Sequence, residues 1–242
     1  MNVISKLLFG GAMAATCISS AYADAIRVSM TVDNSYALYT GSLTNANTFI
    51  GTDSNWQSVE TYNFNLSAGN YIYVVTSSDK EVAQGFLAQF ENLTQGYKFY
   101  SQDAQWQVMA TGLGGTAPYT GSSSDVALLT QEILDANAGG NASNGWADFT
   151  AGANNGASPW GSMSGIDAAA KWVWYAGGNC NTTNPTSGGC NAGEWLVFRI
   201  AAAATPDNPR PDSNNVPEPI SIALLGLGLV GLVATRRKSK VN

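Results

Sequence analysis

The sequence predicts an all-β fold: an antiparallel β-sandwich carrying one amphipathic helix, followed by a C-terminal transmembrane helix. Three observations carry that expectation. Short runs alternate apolar with polar residues, the period-two pattern of strands with one buried face. A single stretch has helical spacing, so there is no strand–helix–strand alternation to call for a parallel sheet. Near the end, Ile220 to Ala234 is apolar or weakly polar throughout.

At the N-terminus, Lys6 precedes an apolar stretch from Leu7 to Ala15, and Ala21-Tyr22-Ala23 supplies a small-x-small cleavage pattern. Residues 1–23 read as a signal peptide, with signal peptidase cutting between Ala23 and Asp24. Cys17 follows Ala14-Ala15-Thr16, and that threonine departs from a lipoprotein signal.

Ile26, Val28, Met30 and Val32 alternate with Arg27, Ser29 and Thr31, which predicts a strand with one wet face. Tyr36 to Tyr39 continues the β pattern. Tyr62, Phe64 and Leu66 alternate with polar neighbours. Ser67-Ala68-Gly69-Asn70 then supplies turn chemistry before Tyr71 to Val75, predicting a hairpin. Further strands are expected at Gln84 to Phe90, Trp106 to Ala110, Lys171 to Tyr175 and Glu194 to Ile200. The last two are apolar on both faces and hence central. The expected total is eight to ten.

The helix runs from about Ser124 to Asn137, with Val126, Leu129, Ile133 and Leu134 on one stripe. Ser122 to Ser124 can cap its start and Gly139-Gly140 its end. Residues 137–165 hold seven glycines and five asparagines in twenty-nine positions. They read as an insertion in the 24–201 domain, of the kind that is functional or mobile. Residues 202–216, with Pro206, Pro209 and Pro211, read as an extended spacer.

Residues 24–216 contain sixteen of the seventeen acids but six of the eleven bases, a net charge of −10. Nucleic acid is excluded as a partner, because its binding needs a basic surface. The chain has no histidine, which removes imidazole as base, metal ligand or partner to a nucleophile. No cofactor or metal is expected, and catalysis could proceed only through carboxylates. Asp33, Asp53, Asp79 and Glu81 lie near turns, where oxygen ligands can hold Ca²⁺. Without an Asp-x-Asp-x-Asp-Gly loop they read as solvated turn acids. No spacing marks a catalytic pair, so the expectation is a protein that is not an enzyme.

Cys180 and Cys190 are an even pair, favouring a disulfide in an oxidising compartment. A thiolate metal site would have too few soft ligands, and a free pair is the remaining alternative. Trp146, Phe149 and Trp160 lie in the Gly/Asn-rich stretch and Trp56 in Ser54-Asn55-Trp56-Gln57. Each either packs down onto the sandwich or offers a flat face to a sugar ring, with nearby amides for its hydroxyls. Trp172, Trp174 and Trp195 fall in strand-like runs and read as core. Four Asn-x-Ser/Thr matches carry no weight in so Asn-rich a chain.

The tail has three parts in order: Pro217-Glu218-Pro219, a Gly-interrupted apolar run from Leu224 to Leu232, and the basic Arg236-Arg237-Lys238. The apolar run Ile220 to Ala234 is about 22 Å long as a helix, and its flanks bring it near the roughly 30 Å of a hydrocarbon core. A membrane helix over 220–235 is therefore expected. The basic cluster would stay cytoplasmic, leaving the preceding domain outside. This order resembles the PEP-CTERM sorting signal, here residues 217–242. The resemblance implies processing by an exosortase, transient anchoring through the membrane helix, and delivery to the cell envelope or beyond. It also suggests a surface or biofilm role in contact with extracellular polysaccharide.

More weakly, residues 26–90 resemble galactose-binding-like jelly rolls, through the run Val32 to Tyr39, Trp56, Tyr62 to Phe64 and Ala83 to Ala88. That likeness implies a jelly-roll-like sandwich and no ligand contact. The leading expectation is thus an exported, non-catalytic surface or matrix protein. The alternatives are a carboxylate-dependent carbohydrate-active enzyme and a structural subunit that self-associates through sheet edges.

Overall fold

A computed structural model describes residues 23–79, 82–114, 121–177, 180, 186–187 and 189–202. The expected signal peptide apart from Ala23, most of the expected spacer, the Pro217-Glu218-Pro219 motif, the stretch 220–235 expected to form a membrane helix and the Arg236-Arg237-Lys238 cluster lie outside the described residues. Among the described residues, no helix is long and apolar enough to cross a membrane.

Eleven strands and one helix are described, in two antiparallel sheets that form a sandwich. The strands are β1 (Ala23–Asp33), β2 (Ser35–Ser42), β3 (Asn45–Asp53), β4 (Glu60–Ser67), β5 (Tyr71–Ser77), β6 (Gly85–Asn92), β7 (Tyr97–Tyr100), β8 (Gln107–Gly114), β9 (Thr150–Asn154), β10 (Lys171–Trp174) and β11 (Glu194–Ala201). The helix α1 (Ser123–Ala138) falls between β8 and β9. One sheet runs β4-β1-β6-β10-β9, with β7 also on β6, and the other runs β3-β2-β5-β11-β8.

The alternation that predicted β1 now has its structural cause. Ile26, Val28, Met30 and Val32 point between the sheets, where they meet Leu38, Val74, Phe86, Phe90, Trp106 and Phe198. In β2, β5 and β6 nearly every residue is buried, because each of these strands faces a core on both sides. On the outer face of the second sheet, Ala37, Tyr39, Tyr73, Val75 and Val197 pack under Leu129, Ile133 and Ala136 of α1. On the outer face of the first, Leu87 and Trp172 are covered by Trp160, Met163, Ile166 and Ala170. The molecule therefore has three apolar layers.

The expected hairpin at Ser67 to Asn70 does not form. The turn exists, with Asn70 N–H donating to Ser67 O at 3.0 Å. However, β4 pairs with β1 in one sheet while β5 lies between β2 and β11 in the other. Tyr71 to Val75 is apolar on both faces and takes a central position. The alternating Tyr62, Phe64 and Leu66 suit an edge with one wet face.

The helix caps form where expected. Ser122 Oγ accepts from Asp125 N–H, and Gly139 closes the helix in the left-handed conformation at φ 76°. The buried stripe is Leu129, Ile133 and Ala136, while Leu134 is 42% exposed and faces outward.

Residues 137–165 are folded onto the sandwich. Ala147 bridges Val108, β9 pairs with β10, and Asn155 anchors the segment after β9. Its side chain donates to Met163 O at 3.1 Å and Ile166 O at 2.8 Å and accepts from Met163 N–H at 2.7 Å. A buried amide that satisfies three backbone groups holds a Gly/Asn-rich loop in place without a core of its own.

Cys180 and Cys190 form a disulfide, with Cα atoms 5.1 Å apart. The carbonyl of Cys190 accepts from Trp174 Nε1–H at 2.7 Å and Gln84 Nε2–H at 3.1 Å, so the bridge secures a junction between both sheets. Replacing both cysteines by serine is expected to cost about 2–3 kcal/mol. This would be read as a lower denaturant midpoint with unchanged slope, and an unchanged midpoint would contradict it.

Candidate functional site

The segment after β3 and the loop after β9 bring Trp56 and Trp160 to the same outer surface of the first sheet. Trp56 sits in a turn braced by its neighbours: Asn55 N–H donates to Asp53 Oδ2 at 3.1 Å, and Thr31 Oγ1–H donates to Trp56 O at 2.8 Å. Trp160 is 7% exposed and stacks on Trp172, with ring centroids 4.1 Å apart and planes 18° from parallel. Trp172 lies flat on the sheet because β6 starts with Gly85, where a Cβ would approach Trp172 Cε3 to 2.7 Å.

A groove runs along both sides of the tryptophan pair. One half, of about 190 Å³, is lined by Asp33, Asn34, Asp79, Val82, Ala83 and Pro159. The other, of about 320 Å³, is lined by Gln57, Val59, Ser162, Met163 and Ser164. Trp56 and Trp160 line both. Ligand clefts generally hold about 300–1,000 Å³, so the second half reaches the lower end of that range and the first falls short of it.

Asp33 ends β1 and is 7% exposed; the reading of it as a solvated turn acid does not hold. Its Oδ2 accepts from Trp160 Nε1–H at 2.7 Å. Burial pushes the Asp33 carboxyl up to about 6; the Trp160 bond opposes that rise and the charge of Asp79 adds to it. Asp79 Oδ2 in turn accepts from Asn34 Nδ2–H at 2.9 Å, and Asp79 N–H donates to Asn34 Oδ1 at 3.0 Å. Asp53 is spent on its own turn, accepting from Asn55 N–H and Ser58 Oγ–H. Among the described residues, no group of three or more metal-ligating side chains comes together.

The other two aromatics lie elsewhere. Trp146 packs on the second sheet, where the Arg199 guanidinium sits 3.6 Å from its ring centroid, and its Nε1–H donates to Asn137 Oδ1 at 2.8 Å. One ring face is thus already taken by a cation–π contact. Phe149 is half-buried against the central core, edge-on to Phe198 with centroids 6.5 Å apart. Trp172 and Trp174 are fully buried, and Trp195 packs beside the α1 layer. In sequence Asp33 and Asp79 stand out only as turn acids near a possible cation, and Asn34 not at all, because nothing local links them to Trp160, 127 positions from Asp33.

Fold and groove together define an antiparallel β-sandwich with an aromatic-walled, acidic surface cleft. The tail adds the rest. Residues 215–238 match the PEP-CTERM protein-sorting motif, so the chain carries a PEP-CTERM sorting signal. Such a signal marks export to the cell envelope or outside and recognition by an exosortase. No curated protein and no solved structure matches the chain, and the likeness of residues 26–90 to galactose-binding-like jelly rolls gains no support from them.

Replacing Pro217 and Glu218 together by alanine is expected to leave full-length protein in the membrane fraction. An unchanged mature mass would contradict recognition through this motif.

Proposed function

We propose that this is a non-catalytic component of the cell surface or extracellular matrix that associates with exopolysaccharide through the Trp56/Trp160 groove. The observation that carries this reading is the convergence of two tryptophans along a groove otherwise lined by carboxylates, amides and hydroxyls. The half-buried Trp56 offers an indole face to the C–H face of a pyranose ring, the buried Trp160 forms the wall beside it, and the Asn34, Gln57, Ser162 and Ser164 side chains offer hydroxyl partners. The two pockets lie side by side at the same tryptophans on an outer surface, a position a polymer could reach.

The test is binding of the protein, purified after export, to a panel of immobilised saccharides. Binding is expected, weakened at least tenfold by Trp56→Ala and unchanged by Trp146→Ala on the opposite sheet. No binding to any saccharide would contradict the reading, and release of reducing ends during the assay would replace it with a glycosidase.

A further inference from the structure

We infer that the end of the sandwich where the chain enters and leaves is its membrane-facing surface, resting on lipid through Leu43 and Leu93, and that the tryptophan groove points the other way. The assignment rests on the tail entering a membrane and holds whatever fills the groove.

Strand directions define two poles. β1 starts at Ala23, paired with Ser67, and ends at Asp33, paired with Gly85. β11 ends at Ala201 opposite Tyr71, and Ala202 N–H donates to Asn70 O at 2.8 Å. Both ends of the domain therefore emerge beside the one turn from Ser67 to Asn70. The β2–β3 turn lies at the same pole, because Gly41 pairs with Tyr71. So does the β6–β7 turn, because Leu93 N–H donates to Ala25 O at 2.8 Å. The groove is at the other pole: Asn34 follows β1, Trp56 follows β3, Ala83 precedes β6, and Trp160 is bonded to Asp33. A strand of eleven residues, the length of β1, separates the poles by roughly 35 Å.

The two poles differ in character. The turns Leu43-Thr44, Ala68-Gly69-Asn70 and Leu93-Thr94-Gln95-Gly96 carry no charged residue, and Leu43 and Leu93 stand out at 48% and 49% exposure. Beside them, Asp24 accepts from Asn92 Nδ2–H at 2.8 Å and Gln95 Nε2–H at 2.7 Å, and Glu91 is paired with Arg27 and Lys98. At the groove pole the strands begin or end on acids, namely Asp33, Asp53, Glu60 and Glu194.

Where the chain goes next decides what faces the uncharged pole. Fourteen residues, 203–216, separate Ala202 from Pro217, a reach of at most about 50 Å. A tail seated in the bilayer thus keeps this pole, and not the other, near the headgroups. Neither leucine alone would mark an interface; sharing a pole with both chain ends does. Protruding leucines among amides and hydroxyls suit the boundary between headgroups and acyl chains, whereas the acidic pole is held off by anionic lipid. The groove then faces away from the membrane.

The test uses the protein processed at its N-terminus and carrying Pro217→Ala and Glu218→Ala, so that the tail is kept. It is reconstituted in phosphatidylcholine/phosphatidylglycerol vesicles containing a rhodamine-labelled lipid. A donor dye is placed on Ala68→Cys at the uncharged pole or on Ser54→Cys at the acidic one, both exposed positions, with Cys180 and Cys190 left joined. Energy transfer to the lipid is expected to be at least twofold more efficient from Ala68→Cys. Leu43→Ser combined with Leu93→Ser changes only exposed side chains and should lower that transfer by about half. Equal transfer from the two positions, or more from Ser54→Cys, would overturn the orientation. Transfer from Ala68→Cys left unchanged by the leucine substitutions would overturn the lipid contact. Protein that does not float with the vesicles would overturn the membrane helix and this assignment with it.

Discussion

Replacing Trp160 by alanine is expected to lower the stability of the domain by about 3–5 kcal/mol, the range for deleting a buried aromatic. Trp160 covers Trp172 from solvent and contributes to the layer with Leu87, Met163 and Ile166. Its loss would also strip the Asp33 carboxylate of its N–H donor, and an abandoned buried acceptor adds roughly 1–3 kcal/mol. In a domain of this size each kcal/mol moves the melting temperature by about 2–4 °C, so a drop of roughly 10 °C or more should be seen by calorimetry. Trp56 is half-exposed and belongs to the groove more than to the core. Trp56→Ala should therefore melt within a few degrees of the parent while losing saccharide binding. A Trp160→Ala protein that melts like the parent would contradict the layered packing.

The second large effect is on pH dependence. Asp33 titrates near 6 in the folded chain, against an ordinary value of 3.8. Between about pH 4 and 6 the folded state holds a proton that the unfolded state releases, so stability falls as pH rises through that window. Below pH 4 both states are protonated and the group contributes nothing. Above pH 6 the penalty is complete, and a shift of about two units corresponds to about 3 kcal/mol at most. Asparagine carries no charge and can still accept from Trp160. Relative to the parent, Asp33→Asn should therefore gain about 2–3 kcal/mol between pH 4 and pH 7.5, measured as denaturation midpoints at both values. Parallel pH profiles for the two proteins would contradict the burial of a charged Asp33. A carboxylate kept at a cost to stability on the wall of a cleft is the pattern expected where binding, not folding, dictates the residue.

Much of this architecture could be read from local pattern. Ile26 to Val32 announced a strand because one face meets the core and the other does not. Ser122 and Gly139 announced helix ends because capping chemistry is local. β3 escaped notice because Asn45–Asp53 has few apolar residues in alternation, as an edge strand can. The short β7 and the Gly/Ala-bearing β9 escaped for similar reasons. The Ser67 to Asn70 turn was legible, but which sheet the chain enters after a turn depends on how apolar both faces of the next strand are. Tyr71 to Val75 needed weighing against Tyr62 to Leu66, not merely against the turn.

The groove was half legible. Trp56 and Trp160 stood out as aromatics in polar surroundings, yet only the fold places a residue after β3 next to one after β9. Trp146 carried the same local signal and was taken up by Arg199, a partner equally remote in sequence. Asp33 looked like any acid at a strand end. Its burial is a tertiary property, set by the Trp160 loop closing over it.

The central claim, that this body is exported, trimmed at both ends and works outside the cytoplasm, is tested most directly by the intact mass of the protein recovered from the producing cells' envelope or medium. The account predicts a chain beginning at Asp24, shortened at its C-terminal end by processing at the Pro217-Glu218-Pro219 signal, and two hydrogens lighter than its reduced form because Cys180 and Cys190 are joined. A full-length mass with both thiols free, found inside the cell, would contradict it.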